Sequence, residues 1–160
     1  MEDFEKFYNS SLRFLSYRPR SEKEVREKLK SKKAPSEIIK EIVTKLKEKK
    51  FINDEEFAKL WTESRLKFKP RSVHLIKLEL KQKGISDEII ESGIKNQELG
   101  AESDLEQAKK LVEKKMTRIR NKFGMTREEI YQKLGRYLAS KGFGWDTIKK
   151  SIDEALRKGV

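Results

Sequence analysis

Arg18-Pro19-Arg20-Ser21 and Lys69-Pro70-Arg71-Ser72 stand 51 residues apart, and each sets two cationic side chains on a turn fixed by proline. Side chains of this type recognise anions, either the phosphates of a nucleic acid or the carboxylates of an acidic protein surface. Arg65 and Lys67 precede the second corner, and the run from Arg65 to Lys83 carries seven cations against Glu79 alone. A second run, Lys114 to Arg127, has six cations and no acid, among them Lys114, Lys115, Arg118, Arg120 and Lys122. Such runs are often solvated helix faces, but a net charge of +12 over 160 residues favours contact with a polyanion. Arg20 and Arg71 have a second reading, as caps on the preceding helix carbonyls or as partners of local acids.

Covalent chemistry finds no support. His74 is the only histidine, so neither a protease constellation nor a multi-histidine metal site can be assembled, and its alignment with Lys23 suggests an exposed slot. Asp54-Glu55-Glu56 and Asp87-Glu88 fall in the first turns of predicted helices, where negative charge complements the macrodipole. The eight glycines are scattered at helix ends and form no phosphate loop. No enzyme, no cofactor and no metal site is expected. Phe51, Phe57 and Trp61 at helical spacing read as core. Trp145, after Gly144, either caps the last bundle or stands exposed. Tyr17 and Phe68, equivalent across the repeat, read as anchors closing a helix turn, with stacking on single-stranded bases as the alternative.

The elements that must carry these residues are helices throughout, because apolar residues recur at three and four positions and no stretch alternates as a strand would. The first helix is expected from about Asp3 to Tyr17, presenting Phe4, Phe7, Tyr8, Leu12 and Leu15, until Pro19 stops it. Ser21 with Glu24 forms a capping box for a short second helix ending near Ser31. Ser36 starts a third, with Ile38, Ile39, Ile42, Val43 and Leu46 on its buried stripe up to Lys49. Asn53 with Glu56, Ser72, Ser86, and Thr126 with Glu129 mark later starts. Phe57, Leu60, Trp61 and Ser64 share one side of the helix after Asn53, and a longer helix is expected from about Ser103 to Phe123. Gly84 and Gly124 suit the left-handed residue that ends a helix, and Gly142 and Gly144 bracket the last turn.

The chain is a tandem array. Residues 18 to 42 and 69 to 93 share nine identities in 25 at the fixed shift of 51, Leu29 with Leu80 and Ile39 with Ile90 among them. A looser third copy, 58 residues further on, places Ile76 on Leu134, Leu80 on Leu138 and Gly84 on Gly142. The expected organisation is all-α: an elongated stack of three three-helix bundles over residues 1–50, 51–100 and 101–160. With 41% charged against 35% hydrophobic residues, several small cores in series fit better than one large one. The absence of cysteine excludes a disulfide framework, and no long apolar run or leader is present, so a cytoplasmic address is expected. No self-complementary heptad seam is visible, which makes a monomer the default.

Phe51-Ile52-Asn53-Asp54-Glu55-Glu56-Phe57-Ala58, then Ser64-Arg65, Ile76, Glu79-Leu80 and Lys83-Gly84-Ile85, resembles the signature of the RecX regulators of the bacterial recombinase RecA. Leu15 to Glu22 with Val25-Arg26 and Lys28-Leu29 resembles that family's opening repeat, and with the third copy the match spans about Leu12 to Ala155. The resemblance implies three tandem three-helix units that bind in the groove of the RecA filament on DNA and suppress its ATPase and strand exchange. Asn53, Glu56 and Lys33 depart from the family's usual Asp, Arg and Gly, and Lys33 bears on the turn after the second helix. Direct contact with single- or double-stranded DNA is expected to be weak and salt-sensitive. Rival readings are a sequence-specific DNA binder using a helix-turn-helix, a nonspecific DNA-binding protein, and a helical scaffold for an acidic protein.

Overall fold

A computed structural model describes residues 2–120 and 124–158. Among the described residues every regular element is a helix: α1 (Glu2–Ser16), α2 (Glu22–Ser31), α3 (Ser36–Glu48), α4 (Asp54–Phe68), α5 (Val73–Gln82), α6 (Asp87–Asn96), α7 (Ala101–Arg120), α8 (Arg127–Ser140) and α9 (Trp145–Lys158). They form an all-α tandem array of three-helix repeats. The predicted starts are where the local chemistry puts them. Ser21 and Thr126 each accept from the backbone N–H three residues on, while Glu24 and Glu129 accept from the cap residue's own N–H. Asn53, Ser72 and Ser86 accept in the same way from the amides of Glu56, Leu75 and Ile89. Pro35 precedes α3 without a side-chain cap.

The helix ends follow one rule. Lys33, Lys50, Gly84, Glu98 and Gly142 all have positive φ, between 51° and 84°. In each case the next amide donates to the carbonyl five residues before it: Ala34 to Leu29, Phe51 to Leu46, Ile85 to Leu80, Leu99 to Ile94 and Phe143 to Leu138. The turn after α2 is therefore the same left-handed turn as after α5 and α8, although Lys33 stands at φ 61° where the later repeats have glycine.

The chain divides into two compact units, Met1–Trp61 with Glu79–Gly93, and Thr62–Leu78 with Ile94–Val160. In the first, α1, α2 and α3 close on Phe7, Val25, Leu29, Ile39, Ile42, Val43, Leu46 and Ile52, with Phe4, Tyr8, Leu12, Leu15 and Ile38 packed partly buried against them. In the second, α7, α8 and α9 close on Ala108, Leu111, Val112, Met116, Ile119, Leu134, Leu138, Phe143, Ile148, Ile152 and Leu156.

Each unit contains the same joint between successive repeats, and the joint is made of polar atoms at helix ends. In the first unit the Glu22 N–H, one of the free donors at the start of α2, donates to Asp54 Oδ1 at 2.9 Å, and the Ser21 hydroxyl donates to the Lys83 carbonyl at 2.6 Å. In the second the Val73 N–H donates to Asp104 Oδ1 at 2.8 Å, and the Ser72 N–H to the Lys141 carbonyl at 3.0 Å. Gly84 and Gly142 follow those two carbonyls. A Cβ on Gly84 would lie 2.6 Å from Lys23 Cβ, and one on Gly142 would lie 2.5 Å from Ser72 Oγ and 2.8 Å from Leu75 Cβ. Glycine is thus required here twice over, by φ and by the close approach of the neighbouring repeat. Burial raises the carboxyl of Asp54, against the Glu22 N–H, and likewise that of Asp104, against the Val73 N–H.

Two readings of aromatic residues are overturned. Tyr17 is 77% exposed and Phe68 70%, so neither anchors a helix turn. Tyr17 lies just past the end of α1 and Phe68 is the last residue of α4, and both rings meet solvent. Phe51 is 52% exposed rather than core, because Lys50 in the left-handed conformation turns it outward while Ile52 takes the buried place. Phe57 is buried and stacks on Trp61 at 5.6 Å; Leu60, on the same helix, is left largely open. His74 is exposed. Trp145 opens α9 exposed, its ring 6.5 Å from Tyr131.

Candidate functional site

In the second unit the turn after α4 and the outer face of α7 enclose a groove of about 620 Å³. Lys67, Lys69 and Arg71 contribute from the end of α4 and the Pro70 turn, Lys110, Lys114, Lys115 and Arg118 from α7, and Lys141 from the end of α8. That is eight cations, and none of the described residues lining the groove is acidic. Phe68 and Tyr137 supply aromatic surface. Lys115 Nζ lies 4.7 Å and Lys141 Nζ 5.6 Å from the Tyr137 ring centroid, and Lys67 Nζ lies 5.2 Å from that of Phe68.

The arrangement follows from helical spacing. Lys110, Lys114 and Arg118 occur every fourth residue and share one stripe of α7, opposite the stripe of Ala108, Val112, Met116 and Ile119 that enters the core. Like charges at this spacing disfavour a helix by roughly 0.2–0.5 kcal/mol per pair. Lys110, Lys114 and Arg118 keep that spacing with no carboxylate interleaved at it, so the stripe adds repulsion to the helix and concentrates positive charge on one wall of the groove.

The equivalent corner of the first unit is a cavity of similar size, about 680 Å³, lined by Leu12, Leu15, Tyr17, Phe51, Phe57 and Leu60 together with Arg18 and Arg20. Lys50 and Glu56 also line it, and Arg18 and Arg20 are engaged. Glu24 Oε1 receives Arg18 Nη2 at 2.7 Å and Lys83 Nζ at 3.1 Å, and Arg20 Nη1 lies 3.9 Å away. The Arg20 guanidinium also sits 3.9 Å over the Phe14 ring. Burial would raise the Glu24 carboxyl, but hydrogen bonds from Arg18, the Ser21 backbone and Lys83 outweigh it and hold it below the usual range. Burial lowers Arg20, the Arg18 charge lowers it further, and Glu24 opposes both.

Of the sequence-predicted residues, Lys67, Lys69, Arg71, Lys114, Lys115 and Arg118 come together in the groove. Arg18 and Arg20 belong to the first unit's corner. Arg65 lies on α4 outside the groove lining, Arg120 ends α7, and Lys122 falls outside the described residues. Lys110, Lys141 and Tyr137 were missed. Lys110 was legible as one turn before Lys114; Lys141, after α8, had no local signal. Elsewhere in the second unit, hydrogen bonds from Lys109 at 2.6 Å and Lys158 at 2.8 Å hold the Glu154 carboxyl at about 2. Among the described residues no group of acids, histidines or cysteines could hold a metal ion, and no helix is long and apolar enough to cross a membrane.

Family models for the first, second and third three-helix domains of RecX match residues 8–51, 53–94 and 102–152. The regulatory protein RecX of Bacillus pumilus is 36% identical over 94% of this chain, and that of Clostridium tetani 35% identical over 97%; the matches cover 55% and 69% of those proteins. The chain therefore spans about 55% of the length of the Bacillus relative. The crystal structure of RecX from Lactobacillus salivarius superposes with a TM-score of 0.77 at 31% identity, over 96% of both chains. A second crystal structure of regulatory protein RecX gives 0.75 at 28% identity, over 94% of this chain and 72% of that one.

Proposed function

The chain belongs to the RecX family, and from that premise we propose that it regulates the recombinase RecA by lodging on the RecA–DNA filament, with the cationic groove of the second unit turned toward DNA phosphate. The observation that carries this reading is the groove itself: eight cations and no described acid around one concavity. Phosphate oxygens are the partners that such a field recruits, and displacement of condensed counterions supplies the driving force. The action is occupancy. A chain seated across successive recombinase protomers hinders the subunit motions that hydrolysis and strand exchange require, and no group in the groove needs to react.

ATP hydrolysis by the cognate recombinase, titrated with this protein, tests the reading. Hydrolysis should fall with added protein and stay depressed when spare DNA is supplied. Recovery on adding DNA would mean that the protein only sequesters the strand. The Lys114→Glu/Arg118→Glu variant should need a concentration on the order of 100-fold higher for the same suppression, since each reversed charge turns a phosphate contact into a repulsion.

A further inference from the structure

We infer that the groove of the second unit takes unpaired nucleotides in preference to duplex, with Phe68 as the platform on which a base stacks. The inference rests on the groove being a phosphate site and adds which kind of strand it accepts.

Three observations carry it. Phe68 is 70% exposed and lines the groove, so a large apolar face is held in water beside eight cations. A duplex buries its base faces in its own stack and offers a protein only phosphates and groove edges, so this ring would find no partner there. An unpaired strand presents a π-face at every base, and stacking on an aromatic side chain is indifferent to sequence. Second, Lys110, Lys114 and Arg118 recur every fourth residue of α7, about 6 Å apart along its axis, a step comparable with that between phosphates of an extended strand. Third, Tyr137 packs against the core of the second unit and has Lys115 and Lys141 over its ring, so two of the ammonium groups that would meet phosphate are held at the same wall as Phe68.

The first unit supplies an internal control. Tyr17 is as exposed as Phe68 and stands at the equivalent corner, but Arg18 and Lys83 there are bonded to Glu24, with Arg20 beside it, and the wall carries Leu60 and Phe51. An aromatic ring without available phosphate anchors does not make a strand site.

The test uses the full chain and three fluorescent ligands of equal length in low salt: an oligothymidylate, a duplex, and an abasic sugar-phosphate strand. The oligothymidylate should bind about tenfold or more tighter than the other two. Phe68→Ala should remove about 5- to 100-fold of its affinity, leave the abasic strand unchanged and leave thermal stability intact; Phe68→Trp should restore binding, and Tyr17→Ala should have no effect. Abasic and oligothymidylate strands bound equally, duplex bound more tightly, or Phe68→Ala acting alike on all three ligands would overturn the inference while the phosphate site stood. If Lys114→Glu/Arg118→Glu leaves all three affinities unaltered, the groove is not a phosphate site and both readings fall.

Discussion

The Tyr17 corner and the Phe68 corner are copies of one turn, Arg18-Pro19-Arg20-Ser21 and Lys69-Pro70-Arg71-Ser72, set against cavities of about 680 and 620 Å³. Their joints use the same acceptors, Asp54 and Asp104, and the same glycines, Gly84 and Gly142. Their exposed chemistry differs because of a few positions. Glu24, which gathers Arg18, Arg20 and Lys83, aligns with Leu75 at the shift of 51, and Leu60 falls on Lys110 when Asp54 is set on its counterpart Asp104. One carboxylate in the first copy draws three cations together, whereas the described lining of the second corner's groove holds eight cations and no acid. Repetition fixed the architecture, and the free side chains diverged.

If the joints are equivalent, Gly84→Ala and Gly142→Ala should each cost about 2–4 kcal/mol, because both combine positive φ with a Cβ closer than 3 Å to the neighbouring repeat. Denaturant unfolding of the two variants checks this, and a loss at only one site would show that the joints differ. Lys33→Gly, at a matching turn, should instead stabilise by up to about 1 kcal/mol, since it relieves a left-handed non-glycine residue.

The contrast between the corners is sharpest in ligand binding. Arg18→Glu/Arg20→Glu should change single-strand affinity by less than about threefold, whereas Lys114→Glu/Arg118→Glu should lower it on the order of 100-fold and flatten its salt dependence. Anisotropy titrations at several salt concentrations measure both, and equal losses would abolish the distinction.

The remaining contrast concerns Glu24 and pH. Glu24→Gln should cost about 1–2 kcal/mol at neutral pH, less than a fully buried pair because Arg18 remains partly solvated. The folded state holds this carboxyl below its ordinary value, so its contribution is present above about pH 4.3, the unfolded value, and is lost as pH falls through the folded one. The gap between parent and variant should close in acid. Asp54 has the opposite sign: its carboxyl is raised in the fold, so ionisation penalises the native state as pH rises through the range above about 3.9. Asp54→Asn should therefore gain on the parent from pH 4 to 7, and melting curves across that range distinguish the two.

Much of this molecule was legible in its residues. The repeat, the helix starts at Ser21, Asn53, Ser72, Ser86 and Thr126, and the apolar stripes depend on local backbone needs and on spacing along one helix, which sequence carries directly. The cationic runs were legible as runs for the same reason. Their fates were not. Glu24 is a local acid for Arg18 and Arg20, but that Lys83 shares the same carboxylate depends on a meeting across 59 residues, and the groove depends on Lys141 arriving beside Lys67 to Arg71 through the joint at Ser72. Helix periodicity says which face is wet, but says nothing of which wet residues share a wall. The outward turn of Phe51 and the exposure of Tyr17 and Phe68 were decided by tertiary packing too, because an aromatic at a helix end is equally able to close a core or to stand in solvent until a neighbour is placed. The chain alone determined a helical array with positive charge; only folding decided which of its charges share one wall, because that depends on contacts between residues far apart in the chain.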